Sequence, residues 1–344
     1  MSVSPTTRPH VPAIGPAPLT DEWFDVRRTM FTSSRMFDVV TQPSVPYCEI
    51  VHGTEFGAFS DEQIERMQTG RDLEPIILGR HAERNGLGVF GNVPLLIHPE
   101  FPFIGATVDG IGVPMPAGKR GYSVTPSDQD DVGGILRWVL KRPAAVAIDA
   151  KNVGTFMVAP KEGIAGDKFG APDTDQVPLR ILLQAQTHLA VTGLGVCEIP
   201  AMVDGVVRSY RVKRHDGLVS MIERKSVELW ERIERRDPPP PEWGSSEADK
   251  VMQALHGVTE ELGPPLPESA LQWWRTYERL GETIRRHERM RNIAKQHVRA
   301  IMGTKRRRVI DDKYELAVSE IAETVVPETK RGAYWKVVKR KRRR

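Results

Sequence analysis

Short apolar runs alternate with amphipathic stretches from Asp21 to Asp237, and this alternation does most to limit how the chain can fold. The apolar runs are bounded by Gly, Pro or Asp and predict strands: FPFIGATVDGI (101–111), AAVAIDAKNV (144–153), LGVCEIPAMVDG (194–205) and VVRSYRVKR (206–214). The amphipathic stretches predict helices: TDEWFDVRRTMF (20–31), SDEQIERMQTG (60–70), EPIILGRHAERNGLGVF (74–90), DDVGGILRWVLKR (130–142), PLRILLQAQTHLAVTG (178–193) and GLVSMIERKSVELWERIERR (217–236). This order of elements predicts an α/β fold, in which helices flank a central mixed sheet.

A proline run, PPPPEW at 238–243, sets the expected domain boundary, because proline lacks a backbone donor and has a fixed φ. Beyond it, Ala270 to Ile301 show apolar or aromatic residues at alternating spacings of three and four, which predicts one long amphipathic helix with a basic remainder. The expected organisation is a disordered leader (1–19), an α/β domain (20–237), a Pro-rich linker (238–266), the long basic helix (267–303) and a C-terminal segment with a basic tail (304–344).

The length of the apolar runs, the N-terminal composition and the cysteines limit which classes of protein this chain can belong to. None of the apolar runs approaches the 18 or more residues of a membrane span, and the N-terminus lacks the apolar core of a secretory signal. The two cysteines, Cys48 and Cys197, are far apart and outside any CxxC pattern, which excludes a zinc knuckle and indicates a reducing, cytoplasmic compartment.

The net charge of +4 is positive because of the C-terminal tail. Residues 331–344 carry eight basic groups and no acid, so the rest of the chain sums to 4 − 8 = −4. A solvated chain end and a tail that binds a polyanion are both consistent with this run, and so is a tail that binds the acidic surface of its own protein.

Several segments that resemble nucleotide-binding or hydrolase motifs have the wrong neighbouring elements or the wrong spacing. Gly86 to Gly91 match GxGxxG, but a predicted helix precedes them and Pro94 follows, so they are not a dinucleotide fingerprint. Gly112 to Lys119 resemble a phosphate loop with the wrong spacing, and Arg120 replaces the required Ser or Thr. Zinc-hydrolase spacings of His and a serine nucleophile elbow are also missing.

Three charged residues near strand ends remain. Asp109 ends one predicted strand, and Asp149 and Lys151 lie two apart in another, so a period of two places them on one face. Charges in an apolar strand are costly unless they meet a ligand or each other. Two carboxylates and a carbonyl suit a hard divalent cation, with Lys151 orienting or polarising an attacking water. A structural salt bridge is the alternative that these three residues alone favour.

Further segments of the sequence, taken in their order along the chain, favour the metal site over the structural salt bridge. The chain resembles the lambda-exonuclease or YqaJ-like viral recombinase family of the PD-(D/E)XK nuclease superfamily. The similar segments are EWFDVRRTMFTSSR, GRHAE, GATVDG, IDAKN, QAQTHLAVTG and VELWERIERRDPPP, which together run from Trp23 to about Pro241. Each segment alone is weak evidence, but six in the family's order are a specific match. The resemblance implies a PD-(D/E)XK core followed by a C-terminal helical extension.

The resemblance also assigns roles to residues. Asp109, Asp149 and the Ala150 carbonyl would bind Mg²⁺ or Mn²⁺, and Glu83 would support a second metal position. Lys151 would activate the attacking water, and Gln186, or failing it Gln184, would orient that water or the scissile phosphate. Arg27 and Ser34 match residues that hold a terminal 5′ phosphate, with Arg28 and Arg35 as neighbouring candidates. A surface arginine and a helix cap are the ordinary alternatives for this last group.

The sequence departs from the family pattern at two points. Asp149 stands where the family usually has Glu, so a metal must sit closer to the strand or bind through water. The gap from Asp109 to Asp149 is also long, and residues 112–143 look like an insertion without an assigned role.

The resulting prediction is a magnesium-dependent phage-type exonuclease that digests the 5′ strand from duplex DNA ends. It would leave 3′ single strands for an annealing recombinase. The alternatives are an endonuclease of the same superfamily and a catalytically silent DNA-binding scaffold. Related exonucleases form rings around DNA, so the resemblance implies a homo-oligomer, although the C-terminal addition could block that surface. Three arrangements of the long helix remain open: it could pack on the nuclease domain, line the DNA path or pair with its copy in an oligomer.

Overall fold

The computed structural model describes residues 12–54, 60–124, 131–142, 144–154, 168–256, 264–265, 267–303, 307–309 and 315–317. The chain divides into two units, Met1–Gly257 and Val258–Arg344. The described helices are α1 (Asp21–Arg28), α2 (Met36–Thr41), α3 (Ser44–His52), α4 (Asp61–Asn85), α5 (Val132–Leu140), α6 (Leu179–Thr192), α7 (Asp216–Arg235), α8 (Ala248–His256) and α9 (Glu268–Met302), with a 3-10 turn at Ser33–Arg35.

The described strands are β1 (Ala13–Ile14), β2 (Phe31–Thr32), β3 (Leu87–Gly91), β4 (Leu96–Ile97), β5 (Ile104–Ala106), β6 (Gly110–Pro114), β7 (Tyr122–Val124), β8 (Val146–Ile148), β9 (Lys151–Val153), β10 (Val196–Val203), β11 (Val206–Lys213), β12 (Arg307–Val309) and β13 (Glu315–Ala317).

A seven-stranded mixed sheet organises the first unit. Its order is β11-β10-β8-β6-β3-β7, and β9 also pairs with β10. Strand β10 runs parallel to β8 and β9 and antiparallel to β11, while β6 runs antiparallel to both β8 and β3. A smaller sheet has the order β1-β4-β5-β2. The predicted α/β class, with a mixed sheet flanked by helices and followed by a C-terminal helix, is confirmed.

Helix α6 lies at the centre of this packing. It contacts α2, α7, the 3-10 turn and strands of both sheets. From Leu183 to Thr192 every residue except Gln184 is buried, so this stretch belongs to the core on nearly all sides. The left-handed φ of 71° at Gly193 ends the helix in a conformation that glycine adopts without strain. A helix held this firmly is a fixed support for side chains that project from it.

Two predicted strands are interrupted where functional residues were expected. AAVAIDAKNV forms β8 and β9 with a break at Asp149 and Ala150, and FPFIGATVDGI divides into β5 and β6 of different sheets. The break in the first has a direct cause, because the Ala150 N–H donates to the Asp109 side chain and not to a neighbouring strand. The aspartates therefore lie at strand ends.

The two helices expected at 60–70 and 74–90 form a single helix, α4, with Pro75 in its interior. Ser60 and Gln63 form the expected capping box at its start. The predicted helix over 74–90 extends too far, because Gly86 takes a left-handed φ of 62° and the following residues form β3. Gly86 to Gly91 thus follow a helix and lead into a strand, the reverse of the dinucleotide fingerprint.

Both ends of the chain were given expected roles. Ordered structure begins within the segment assigned to the leader, since Ala13–Ile14 pair with β4. The long helix is present as α9, over almost the predicted range. Part of the 112–143 insertion forms β7 and α5. Residues 1–11 and the basic tail at 331–344 lie outside the described residues. Within the described part of the chain, helices long and apolar enough to cross a membrane are absent.

Candidate active site

Asp109 and Asp149 come together where neighbouring strands of the main sheet end. Gly110 of β6 pairs with Ile148 of β8, so the residues next to this pair, Asp109 and Asp149, are adjacent in the fold. The Asp109 N–H donates to the Ile148 carbonyl at 3.0 Å, and the Ala150 N–H donates to Asp109 Oδ2 at 2.7 Å. The structure therefore unites two carboxylates that are forty residues apart in the sequence.

Lys151 and Gln184 complete this group, which we call the carboxylate cluster: Asp109, Asp149, Lys151 and Gln184. Lys151 Nζ lies 2.8 Å from Asp149 Oδ1, and Gln184 Nε2 donates to the same oxygen at 3.2 Å. The other oxygen, Asp149 Oδ2, is buried and has no hydrogen-bond partner among the residues that the structure describes. A buried carboxylate oxygen without a donor is costly, and a bound cation would remove that cost.

The charges in the cluster shift one another's ionisation. Burial raises the pKa of Asp109 well above its usual range, and the charge of Asp149 raises it further. Burial lowers the pKa of Lys151, but the two aspartates outweigh it and leave this pKa raised. Lys151 therefore keeps its proton at neutral pH, and its ammonium group can donate hydrogen bonds to a water or a phosphate oxygen.

The donor set fits a hard divalent cation. Asp109, Asp149 and the Ala150 carbonyl offer oxygen atoms only, which is the chemistry that Mg²⁺ and Mn²⁺ prefer. Within the ranges that the structure describes, three or more His, Cys, Asp or Glu side chains are nowhere grouped to hold a metal ion. A cation here would thus complete its coordination with waters and substrate oxygens.

The expected helical glutamate, Glu83, lies elsewhere. It is half exposed and pairs with Arg120 at 3.0 Å, beside a second, separate surface pocket. Glu74 of the same helix lines the cleft with Asp109 and Asp149. Nine residues turn an α-helix through about 900°, so these two glutamates face opposite sides. The structure thus does not bring Glu83 to the cluster.

Glu74 is electrostatically linked to the cluster. Burial raises the pKa of Glu74, Lys151 opposes the shift and Asp149 adds to it. The helix EPIILGRHAER contains both glutamates, and a helical phase measured from its buried positions Ile77, Leu78 and His81 could have distinguished them.

The two glutamines of α6 also lie in different environments. Gln186 is buried; its Nε2 donates to the Lys213 carbonyl and its Oε1 accepts from the His215 N–H. Both ends of its amide are thus used in joining α6 to the end of β11. Gln184, two residues earlier and about 200° around the helix, contacts Asp149. The preferred residue of the sequence prediction was Gln186, but the structure brings Gln184 to the site.

The same cleft is also lined by the arginine cluster: Arg27, Ser34 and Thr107. Arg27 donates to Ser34 Oγ and Thr107 Oγ1 at 3.3 Å each, and its guanidinium lies over the Trp23 ring at 4.1 Å. Burial, with the charge of Arg35, lowers the pKa of Arg27 to about 10. It forms no carboxylate pair within the described residues, so its charge is available to an anion.

The neighbouring arginines are already paired. Arg28 is exposed and pairs with Asp25 at 2.9 Å, and Arg35 pairs with Glu49 at 2.8 Å. Of the three candidates from the sequence, only Arg27 lines the cleft.

His188 of α6 is a buried histidine that no sequence motif predicted as part of the site. His188 Nε2 lies 2.9 Å from Ser33 Oγ, while its Nδ1 is buried without a partner. Burial lowers the pKa of His188 to about 4, with opposing contributions from Asp149 and Lys151. Its neutral ring joins α6 to the 3-10 turn that carries Ser34.

Both clusters line one cleft of about 780 Å³. The lining includes Arg66 and Arg71 of α4, Asn92 and Ser123. The cleft therefore combines the carboxylates of one cluster with an arginine that forms no carboxylate pair within the described residues. A cation can bind the first and an anionic group the second.

Comparison with known proteins gives a family match over half of the chain. Residues 22–195 match the model of the YqaJ-like viral recombinase domain. An alkaline exonuclease from Laribacter hongkongensis matches with 22% identity and a TM-score of 0.42, over 63% of this chain and 94% of that chain. Its complex with dAMP gives the same identity and coverage with a TM-score of 0.43.

A third structure, the Shutoff and Exonuclease Protein from Kaposi's sarcoma-associated herpesvirus, is 10% identical. It has a TM-score of 0.30, over 68% of this chain and 73% of that chain. None of the curated proteins matches the sequence.

Proposed function

The chain belongs to the YqaJ-like viral recombinase domain family, and from that premise we propose that it is a metal-dependent DNA exonuclease. This membership supports a nuclease of the lambda-exonuclease type. The proposed reaction is hydrolysis of phosphodiesters from the 5′ end of a duplex, which leaves a 3′ single strand for an annealing recombinase. The observation that carries the proposal is the unpartnered Asp149 oxygen in the same cleft as the unpaired Arg27.

The carboxylate cluster is the proposed reaction centre. Asp109, Asp149 and the Ala150 carbonyl would hold the Mg²⁺ ions, which supply charge for the attacking and leaving oxygens when bound. Lys151 would hold the attacking water through its ammonium group, and Gln184 fixes the Asp149 carboxylate by its amide hydrogen bond. Glu74 replaces Glu83 as the proposed third carboxylate, because it lines the cleft.

The arginine cluster is the proposed site for the terminal 5′ phosphate. Arg27 offers several N–H donors on a planar group, and Ser34 adds a hydroxyl. Attack of water on phosphorus would break its bond to the 3′ oxygen, so the 5′ phosphate stays with the next nucleotide. Each cycle would then create the end that Arg27 holds, which favours digestion from 5′ to 3′.

The test is digestion of a linear duplex labelled at its 5′ or its 3′ end, with Mg²⁺ or with a chelator. The expected result is Mg²⁺-dependent release of the 5′ label. Asp149→Ala and Lys151→Ala should each lower the rate at least about 10³-fold. Asp175→Ala, an exposed position away from the cleft lining, is the matched control and should keep the wild-type rate.

Incubation with a closed circular duplex distinguishes an exonuclease from an endonuclease. An exonuclease leaves it intact, and cleavage of the circle would establish an endonuclease instead. If neither substrate is cut although the protein binds DNA in a salt-sensitive manner, the catalytic proposal is wrong and the DNA-binding scaffold replaces it.

A further inference from the structure

A second group of arginines lies outside the catalytic cleft. Arg80 and Arg84 of α4 and Arg120, between β6 and β7, line a surface pocket of about 450 Å³ together with Glu83. Among the described residues that line the cleft of the carboxylate cluster, none of these four is present. We call the three arginines the outer patch. All of them belong to the first unit of the chain, Met1–Gly257.

Two of these arginines are held in fixed positions by uncharged partners. Arg80 Nη1 donates to the Gly205 carbonyl at 2.8 Å, and Arg84 Nη1 donates to the Val207 carbonyl at 2.6 Å. A carbonyl carries no net charge, and neither arginine forms a carboxylate pair within the described part of the chain. A guanidinium has five N–H donors, so each arginine keeps further donors for a ligand. Side chains that are already ordered lose less entropy when an anion binds.

The positive charge of the outer patch is only partly balanced. Glu83 is the one carboxylate among the described residues of the pocket lining, which therefore carries 3 − 1 = +2. Glu83 pairs with Arg120 at 3.0 Å, but the two side chains are 49% and 80% exposed, and exposed ion pairs contribute little. Lys119, the preceding residue in the sequence, is also exposed. Without its C-terminal tail the chain sums to −4, so this positive charge is a local feature.

The spacing of the patch suits a row of phosphates. Arg80 and Arg84 are one helical turn apart, about 6 Å along the axis of α4. A strand of duplex DNA carries a phosphate every ~3.4 Å along the duplex axis, so the two guanidinium groups span about two successive phosphates. The planar fork of a guanidinium also matches phosphate oxygens in a bidentate contact. Contacts of this kind hold the backbone and do not read the base sequence.

We propose that the outer patch binds the phosphate backbone of duplex DNA at a site separate from the catalytic cleft. The choice of DNA among polyanions rests on the proposed function, whereas the anion site itself rests on the three arginines. Helix α4 connects the two places, since Glu74 lines the cleft and Glu83 lines the pocket of the patch. The patch holds a duplex at any point along its length, whereas the arginine cluster holds a terminal phosphate. The patch therefore contributes to affinity and not to hydrolysis.

The test is binding of the full chain to a closed circular duplex in the presence of a chelator. This DNA has no end for the arginine cluster, and the chelator prevents cleavage. Arg80→Gln combined with Arg84→Gln removes two phosphate contacts. The slope of log K against log salt concentration should become less steep by about 1.8, and the Kd at ~0.1 M salt should rise at least tenfold.

Arg224→Gln combined with Arg235→Gln is the matched control. These exposed arginines of α7 pair with Glu228 and Glu231, and they line neither the cleft nor the pocket of the patch. The control changes the net charge by the same amount and should leave the slope unchanged. Equal losses in both double variants would mean a general effect of net charge and would overturn the proposal. An unchanged slope in the first double variant would overturn it as well.

Single substitutions of the exposed ion pair separate binding from folding. Arg120→Gln should make the slope less steep by about 0.9, because one phosphate contact is lost. Glu83→Gln removes the carboxylate of the pocket and should instead lower the Kd for the circle about threefold. A fold defect would weaken binding in both variants, so opposite changes at these paired positions support the patch. Weaker binding in Glu83→Gln would contradict it.

Failure of this proposal differs from failure of the proposed function. If wild type cuts no DNA but its binding to the circle depends on Arg80 and Arg84, the outer patch stands and the exonuclease is wrong. If wild type digests linear duplexes and the double variant binds the circle as wild type does, the patch is wrong and the exonuclease stands. With both correct, the double variant should raise KM and keep kcat at saturating DNA within about twofold.

Discussion

The carboxylate cluster and the arginine cluster share one cleft, but the protein holds them in opposite ways. In the first, negative charges are placed near the interior and one oxygen of Asp149 is left without a donor. In the second, a cation is stacked on Trp23 and, within the described residues, its side-chain hydrogen bonds go to neutral hydroxyls. The first cluster keeps one cation, Lys151, but leaves a carboxylate oxygen unpaired, whereas the second has no carboxylate among the described residues. The first is therefore suited to binding a cation and the second to binding an anion.

His188, which joins α6 to the 3-10 turn through Ser33, gives the largest expected effect on stability. Its pKa falls from 6.5 to about 4 in the fold because the ring is buried. Between these pH values the unfolded chain binds a proton that the folded chain does not, so stability falls as pH falls. The loss should reach about 3 kcal/mol by pH 4. Urea unfolding gives the free energy of unfolding of wild type and of His188→Gln at each pH between 7 and 4. The contribution of His188 is the difference between the two slopes of that free energy against pH.

An exposed histidine provides the control for this titration. His256→Gln should follow the wild-type pH dependence throughout. If His188→Gln and wild type lose stability in parallel on acidification, His188 is not the buried neutral ring that joins α6 to the 3-10 turn.

Arg27 gives the next largest effect and tests the anion-binding side of the comparison. Arg27→Ala should raise KM for duplexes with a 5′ phosphate about 10²-fold, because a charge-assisted hydrogen-bond donor is lost. KM for ends with a 5′ hydroxyl should change much less, so the preference between the two ends should disappear. Steady-state kinetics on both substrates measures this ratio, which a purely structural loss would not alter.

Arg28→Ala is the matched control, since Arg28 is the next residue and already pairs with Asp25. An unchanged preference for phosphorylated ends in Arg27→Ala would remove the arginine cluster from phosphate recognition.

Strand geometry allowed part of the group at the strand ends to be predicted from the sequence. A period of two placed Asp149 and Lys151 on one face, although the structure breaks that strand at Asp149 and Ala150. The grouping with Asp109 was a hypothesis that gained weight only through the family resemblance. The structure joins Asp149 to Lys151 by an ion pair at 2.8 Å, which is the contact that the salt-bridge alternative predicted. The mixed sheet and α9 were also predicted, from runs of 8 to 35 residues with clear periodicity.

Side chains on helices were harder to place, because the rotation of a helix against the sheet is set by packing that a sequence does not display. Gln184 and Gln186 differ by about 200° of rotation, and only the burial of Gln186 against the end of β11 shows which one remains free for Asp149. His188 gave no signal at all, since one histidine in an apolar helix is equally compatible with an ordinary core residue.

The smallest expected effect separates the two glutamates of α4. Glu74 lines the cleft near the carboxylate cluster, whereas Glu83 pairs with Arg120 on the opposite face. Glu74→Gln removes one negative charge from the proposed cation site, so the Mg²⁺ concentration for half-maximal activity should rise about tenfold. Glu83→Gln makes the same chemical change and should leave that concentration within about twofold. Titration of activity with Mg²⁺ at saturating DNA compares them directly. A tenfold shift in Glu83→Gln alone would restore the sequence prediction and would require α4 to be rotated by half a turn from its position here.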